Sequence, residues 1–192
     1  GFGDINGDGR GDFIVSEGWI EAPADRNHQA WKFHPDFNLK DASIPVVVAD
    51  VNKDGLNDLI AGHGHSYGLY WYEQKRDEKS VKFIKHPIDA YHSQFHTMEW
   101  EDIDNDGQME LVTGKRYRAH NGKDPGGNDS PGLYYFKWNG ESFTKHVISY
   151  GPFGEGKGTG IFFSIADLHK TGRKDIVVAG KDGLYVFFNE KI

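Results

Sequence analysis

The chain has 192 residues, a formal net charge of −7 and no cysteine. That length supports one sizeable core, and the missing cysteines exclude disulfides and thiolate metal sites without identifying a compartment. No apolar run approaches the ~20 residues of a membrane-spanning helix, and no basic patch interleaved with stacking aromatics points to nucleic acid.

The first element is a loop, Asp4-Ile-Asn-Gly-Asp-Gly-Arg-Gly-Asp12, and its nine-residue pattern returns at Asp50–Asp58, Asp102–Glu110 and Asp167–Asp175. In the first three copies, oxygen-bearing side chains stand at positions 1, 3, 5 and 9, and Gly at position 6 permits a sharp turn. Such a set suits a hard cation, calcium before magnesium, the latter at lower ligand number. The expected ligands are Asp4, Asn6, Asp8 and Asp12, then Asp50, Asn52, Asp54 and Asp58, then Asp102, Asp104, Asp106 and Glu110. The carbonyls of Arg10, Leu56 and Gln108 complete each set. The flanking helices of an EF-hand are absent. Three divalent ions would bring the charge from −7 to −1 (−7 + 6), so the acidity is mostly cation ligand. The fourth copy has His169 and Thr171 at positions 3 and 5; it is expected to be empty or weak, with Lys170 or Lys174 partly replacing the ion's charge.

The repeats start near 4, 50, 102 and 167, at intervals of 46, 52 and 65 residues. Each of the last three loops precedes an apolar run ending in Gly (Leu59–Gly62, Leu111–Gly114, Ile176–Gly180). A Gly-Leu-Tyr run follows (from Gly68, Gly132 and Gly183), and after two of them a β-rich run ending at or near a histidine (Val81–His86, Phe143–Ile148). Short β-branched and aromatic runs broken by Gly, Asn, Asp and Pro read as strands. With a strand before each loop (Val46–Ala49, Thr97–Glu101, Ile161–Ala166), every repeat holds four strands, here lettered A to D. Four-stranded repeats of this period fit propeller blades. The expected fold is all-β, one β-propeller region over residues 1–192 with about three and a half blades. The first strand A is expected to be missing and the fourth repeat to stop after strand C. Because a propeller closes to hide its edges, the expectation is a part of a six- to eight-bladed ring, completed by the rest of a longer chain or by another chain.

The Asp-x-Asn/Asp-x-Asp-Gly-x-x-Asp/Glu loops, each followed by an apolar strand and Gly, resemble the FG-GAP/VCBS family of calcium-loop β-propellers, also found in integrin α-subunit heads. Ser93-Gln-Phe-His96, Val112-Thr-Gly-Lys-Arg-Tyr117 and Ala119-His-Asn-Gly-Lys-Asp-Pro125 are similar to segments of secreted bacterial VCBS proteins and of the propellers of some sugar lyases and an aldosulose dehydratase. The resemblance implies an extracellular or periplasmic protein. A calcium-dependent binding or adhesion module and a carbohydrate-active enzyme are both uses of the fold, which by itself fixes neither.

Strand alternation sorts the remaining residues. The A–B loops lie at one end and the B–C and D–A links at the other. His34, His86 and His146 recur at one point of strand D and read as structural. His63, His65, His92, His96 and His120 all fall at the B–C/D–A end, together with the long segments 89–96, 117–132 and 150–160 and with Lys115, Arg116, Arg118, Lys123 and Lys157. Extra loop length at one end of a rigid scaffold is where binding sites concentrate. A cationic, imidazole-rich mouth suits an anionic sugar, with Tyr67, Tyr91, Tyr117, Tyr150 and Phe153 available to stack on rings.

Two mechanisms fit this set. In a uronate β-elimination Arg116, helped by Lys115, neutralises the carboxylate, His96 or His120 takes the C5 proton, and Tyr117 or a second histidine protonates the leaving oxygen. In a metal-assisted dehydration two or three of His63, His65, His96 and His120 hold zinc. No Gly-x-Ser-x-Gly elbow or phosphate-binding loop is present.

Overall fold

The computed structural model describes residues 1–40, 42, 45–77 and 80–190. These residues form fifteen strands and one short 3₁₀ turn, Ala119–Gly122. No helix among them is long and apolar enough to cross a membrane.

The strands fall into four antiparallel sheets in strict chain order. The first holds β1 (Phe2–Gly3), β2 (Asp12–Val15), β3 (Gly18–Glu21) and β4 (Lys32–His34). The second holds β5 (Val47–Ala49), β6 (Asp58–Gly62), β7 (Tyr67–Arg76) and β8 (Val81–Ser93). The third holds β9 (Phe95–Glu101), β10 (Glu110–Lys115), β11 (Gly132–Trp138) and β12 (Phe143–Tyr150). The last has three strands, β13 (Phe163–Ala166), β14 (Asp175–Gly180) and β15 (Gly183–Phe187). These are the expected blades, with one correction. The first blade does have a strand A, the two-residue β1 paired to β2 through Phe2↔Phe13 and Gly3↔Asp12. Two residues are too few to show a period of two, so sequence pattern cannot reveal it.

The B strands of the second and third blades are buried apolar runs. Leu59, Ile60 and Ala61 of β6, and Leu111 and Val112 of β10, are fully buried. A strand covered on both faces has no polar face to alternate with. Cores form between successive sheets. Ile14 and Trp19 meet Leu59 and Tyr72, Ile60 and Trp71 meet Leu111 and Phe136, and Val112 and Leu133 meet Phe163 and Ile176. The strand-D histidines are part of this packing. His34 stacks on Trp19 at 4.2 Å and contacts Glu21 at 2.7 Å, His86 stacks on Trp71 at 4.6 Å and contacts Glu73 at 3.0 Å, and His146 stacks on Tyr135 at 4.5 Å.

A larger departure concerns residues 89–96, expected to be a surface insertion. β8 continues through them to Ser93, paired with Tyr67, and β9 begins at Phe95. The link between blades is the single residue Gln94, fully buried and left-handed at φ 64°. Its amide donates to the Ser66 carbonyl at 3.0 Å. The extended β8 creates a buried charge cluster. Asp89 accepts from Lys145 of β12 at 2.7 Å and contacts His92 at 2.9 Å, and the Lys145 ammonium lies 3.7 Å from the Tyr134 ring centroid. Burial alone would raise the Asp89 carboxyl, but the His92 and Lys145 contacts win and hold it well below the ordinary carboxylate range. Because the folded-state value is depressed, its stabilisation is present above the unfolded value of 3.8 and is lost as pH falls through the folded one. Asp89→Asn, which leaves Lys145 unpaired, is expected to cost about 2 kcal/mol in urea unfolding at neutral pH. The same measurement near pH 3 should show a smaller difference.

Candidate functional site

The loop end. All four nine-residue loops share one backbone device. The position-1 carboxylate accepts the amides of positions 5 and 6: Asp4 from Asp8 and Gly9, Asp50 from Asp54 and Gly55, Asp102 from Asp106 and Gly107, and Asp167 from Thr171 and Gly172, all at 2.8–3.2 Å. The position-6 glycines adopt φ of 80–87° in all four. The position-9 carboxylate is buried and ties the loop to its blade. Asp12 accepts from Ile5 and Ala22, Asp58 from Val51 and Gln74, and Asp175 from Leu168 and Asn189, while Glu110 accepts from Ile103. Positions 1 and 9 therefore build the frame, which explains why the fourth copy keeps its shape. In that copy His169 lies against Phe188 at 4.1 Å. Of the two lysines expected to replace part of the ion's charge, Lys170 and Lys174, the second pairs with Glu101 of the preceding blade.

The third loop tests the fit to a cation most directly. Oxygens of Asp102, Asp104 and Asp106 lie within 4.8 Å of one another, and Asp104 Oδ1 is buried without a hydrogen-bond partner. An orphaned buried carboxylate oxygen among acidic neighbours fits a hard cation. One strand-C position, which sequence reading missed, faces all of these loops. It is Glu21 in the first blade, Glu73 in the second, Lys137 in the third and Phe188 in the fourth. Asn6 and Asn52 donate to Glu21 and Glu73 at 3.4 and 3.1 Å. Lys137 instead contacts Asp104, Asp106 and Glu110 at 2.8, 3.1 and 3.2 Å. Where the loop carries Asn at position 3 the strand supplies a carboxylate, and where it carries Asp the strand supplies an ammonium. Burial would lower the Lys137 pKa, but these carboxylates hold it above the ordinary range. Lys137→Met is expected to tighten calcium binding at the third loop about fivefold, on the order of 1 kcal/mol for a half-exposed cation removed from the cluster, read by calorimetric titration.

The opposite end. The B–C turn of the second blade and the B–C segment of the third meet here. His65 stacks on His120 at 4.8 Å, with rings 8° from parallel, and His96 meets His65 edge-on at 5.7 Å. Asp124, which sequence reading missed, bridges the pair at 3.0 Å from His65 Nδ1 and 3.1 Å from His120 Nδ1. Ligating atoms of His65, His120 and Asp124 lie within 4.8 Å of one another. Only the 3₁₀ turn, with Arg118, His120 and Asn121 all left-handed, brings His120 and Asp124 back onto His65. No spacing rule announces that.

His63 is not part of this group. Its Nδ1 contacts the Tyr67 carbonyl at 2.9 Å and its ring faces Tyr70, so His63 and His65 do not converge on one point. His92 belongs to the Asp89–Lys145 cluster. Lys115 is fully buried, its ammonium donating to the Arg116 carbonyl at 3.1 Å, and burial pushes its pKa down to about 8. It is sealed from any ligand at the mouth. Arg116 is also buried, donating from Nη2 to the Gly64 carbonyl at 2.9 Å and lying 3.2 Å from His65 Nδ1. It holds the His65 turn rather than projecting outward. Lys157 pairs with Asp182 at 2.9 Å. The mouth expected to be cationic is thus one of mixed charge, because carboxylates from the long loops meet its cations. Tyr117 stacks on Phe153 at 4.4 Å. His96 is half-buried, its Nδ1 without a hydrogen-bond partner, and burial, then Arg116, His65 and His120, lower its pKa.

Comparison with known proteins bears on the scaffold. Residues 50–113, which hold two complete loops and the strands between them, match the family model described as an FG-GAP-like repeat. No curated protein matches the chain. Among solved structures, a lectin of Agrocybe aegerita, described by its specific recognition of non-reducing terminal N-acetylglucosamine, superposes on 100% of this chain with a TM-score of 0.50 at 15% identity. The chain spans about half of that lectin, 51% of its length. At that identity the likeness shows the fold, which the FG-GAP-like segment shares with the blades on either side of it.

Proposed function

We propose that this protein is a calcium-stabilised, carbohydrate-active propeller, exported to an extracellular or periplasmic setting, whose histidine-rich end eliminates across a carbon–oxygen bond of an acidic sugar. The observation that carries this reading is the convergence of His65, His96, His120 and Asp124, drawn from the β6–β7 turn, the start of β9 and the β10–β11 segment, at the end away from the cation loops. Two imidazoles and a carboxylate form a set that suits zinc with an open position, and zinc bound by His65, His120 and Asp124 would supply a Lewis acid for the sugar carboxylate. That takes over the role expected of Arg116, whose Nη2 is held by the Gly64 carbonyl. The chain's own residues do the rest. Arg116 fixes the Gly64–His65 turn through the Gly64 carbonyl. Burial, then the Arg116 charge, lower the His96 pKa, which favours the neutral imidazole that would accept the C5 proton. Tyr117, three residues before His120 in the chain, would protonate the leaving oxygen.

The test is incubation of the protein with a panel of uronate polysaccharides, following the ultraviolet absorbance of the unsaturated product. Product formation that His96→Ala suppresses supports the reading, and no product from any substrate overturns it. The second reading is a non-catalytic calcium-dependent binding or adhesion module, consistent with the use of the fold in a lectin. It predicts glycan binding without product and with His96→Ala unaffected.

A further inference from the structure

The same end holds a cavity of about 420 Å³ between the third and fourth blades. Its volume lies within the ~300–1,000 Å³ of ligand-sized pockets. Arg116, Tyr117 and His120 belong both to this cavity and to the histidine end, so the two adjoin. His65, His96 and Asp124 do not line it. An occupant of the cavity is therefore not the ring that sits among those three residues, but one beside it.

The cavity's walls have the chemistry of a saccharide site. One wall is the Tyr117–Phe153 stack, with rings 16° from parallel. Phe153 is 47% exposed, so part of its ring remains open to a ligand. Across from it the β14–β15 turn brings Lys181 and Asp182. Lys181 donates to the Arg118 carbonyl at 2.8 Å, and Asp182 is fixed by Lys157 at 2.9 Å. Glycines leave part of the lining as bare peptide. A Cβ at Gly158 would lie 2.0 Å from the Lys115 carbonyl oxygen and one at Gly160 2.1 Å from that of Ala179, so close packing forbids side chains there. A pyranose offers an apolar C–H face and a rim of hydroxyls. An aromatic platform opposite a few fixed polar groups matches both.

We propose that this cavity is a subsite for the sugar residue adjacent to the reacting one, with Phe153 as its platform, so that the ligand is a uronate oligosaccharide or polymer and not a free monosaccharide. The proposal rests on the saccharide reading of the histidine end but not on elimination taking place there.

The experiment is calorimetric titration of the full chain with galacturonate, glucuronate and guluronate, each as monomer, dimer and trimer, comparing the native protein with Phe153→Ala. Thermal unfolding of the variant checks that it folds. For the native protein, affinity is expected to rise about tenfold from monomer to dimer. Phe153→Ala should remove about threefold to tenfold of that gain, the range for one aromatic contact, and leave monomer affinity within about twofold. The subsite is overturned if affinity does not depend on length, if Phe153→Ala weakens monomer and dimer alike, or if none of the probes binds. Unsaturated product is scored separately. Length-dependent binding that Phe153 controls, without product, keeps the subsite and removes the elimination. Product without length dependence does the reverse.

Discussion

Stripping divalent cations from this protein with a chelator is expected to lower its Tm by at least about 5 °C. One ion held at a hundred times its Kd contributes ~2.7 kcal/mol, and a domain of this size shifts ~2–4 °C per kcal/mol. Three loops offer such sites, and they are coupled to their neighbours. Asn57 of the second loop donates to the Asp4 carbonyl of the first at 2.6 Å, and Arg173 of the fourth to the Asp104 carbonyl of the third at 3.2 Å. Loosening one loop therefore disturbs the next. Burial supplies the driving force. It pushes the Asp58 carboxyl up to about 6 and raises Glu110, so without a counter-ion these anions are held where water cannot solvate them. The sign of the pH dependence follows. A raised folded-state pKa means that protonation relieves the strain, so the difference between chelated and calcium-loaded protein should shrink as pH falls from about 6 toward 3.8. Asp54→Ala should reproduce part of the loss, whereas Thr171→Ala in the fourth loop should change the calcium response very little. If chelation and calcium re-addition leave Tm unmoved, the ions are not structural.

The contrast between the two ends shows what the sequence makes legible. The loops are local. Asp, Asn, Asp and Gly at fixed offsets make their own turn through hydrogen bonds spanning two to five residues, so linear spacing carries the geometry. The strand-D histidines repeat in the first three blades, and their stacking on Trp19, Trp71 and Tyr135 follows from cross-strand pairing. The strand-C position Glu21/Glu73/Lys137 repeats too. It becomes visible only when blades are compared against the loops, because the partner lies 15 to 33 residues away in sequence. Non-repeating geometry is hidden. The direct passage from β8 to β9 depends on a left-handed Gln94, and a buried Gln at positive φ has no compositional mark. Asp124 reaches His65 across 59 residues only because a strained turn bends the intervening chain back. Side chains that face outward in a linear reading, Lys115 and Arg116 above all, are claimed by nearby carbonyls once the B–C segment folds over them.

The same long-range geometry makes the histidine end sensitive to single substitutions. His65→Ala, His120→Ala and Asp124→Asn are each expected to lower bound zinc about tenfold to a hundredfold or more, and to lower elimination by at least about a hundredfold, the scale of losing one electrostatic or acid–base group. The reason lies in how few groups share the task. His65 Nδ1 lies 3.0 Å from Asp124 and 3.2 Å from Arg116 Nη2, and a single tautomer can donate to the first or accept from the second, not both. Its ring is thus held by competing partners, and removal of Asp124 leaves Arg116 to capture it. Metal content of the purified variants separates this from general damage. A ligand role predicts that zinc is lost while Tm and calcium content stay near native, since the cation loops lie at the other end of the blades. His63→Ala is the internal control, because its ring turns toward Tyr67 and Tyr70 and should leave zinc in place. If the three variants retain zinc, or if the native protein takes up none, the histidine end works without a metal. His96 would then have to abstract the proton with no Lewis acid to acidify it, and residual activity in His120→Ala would be the result that says so.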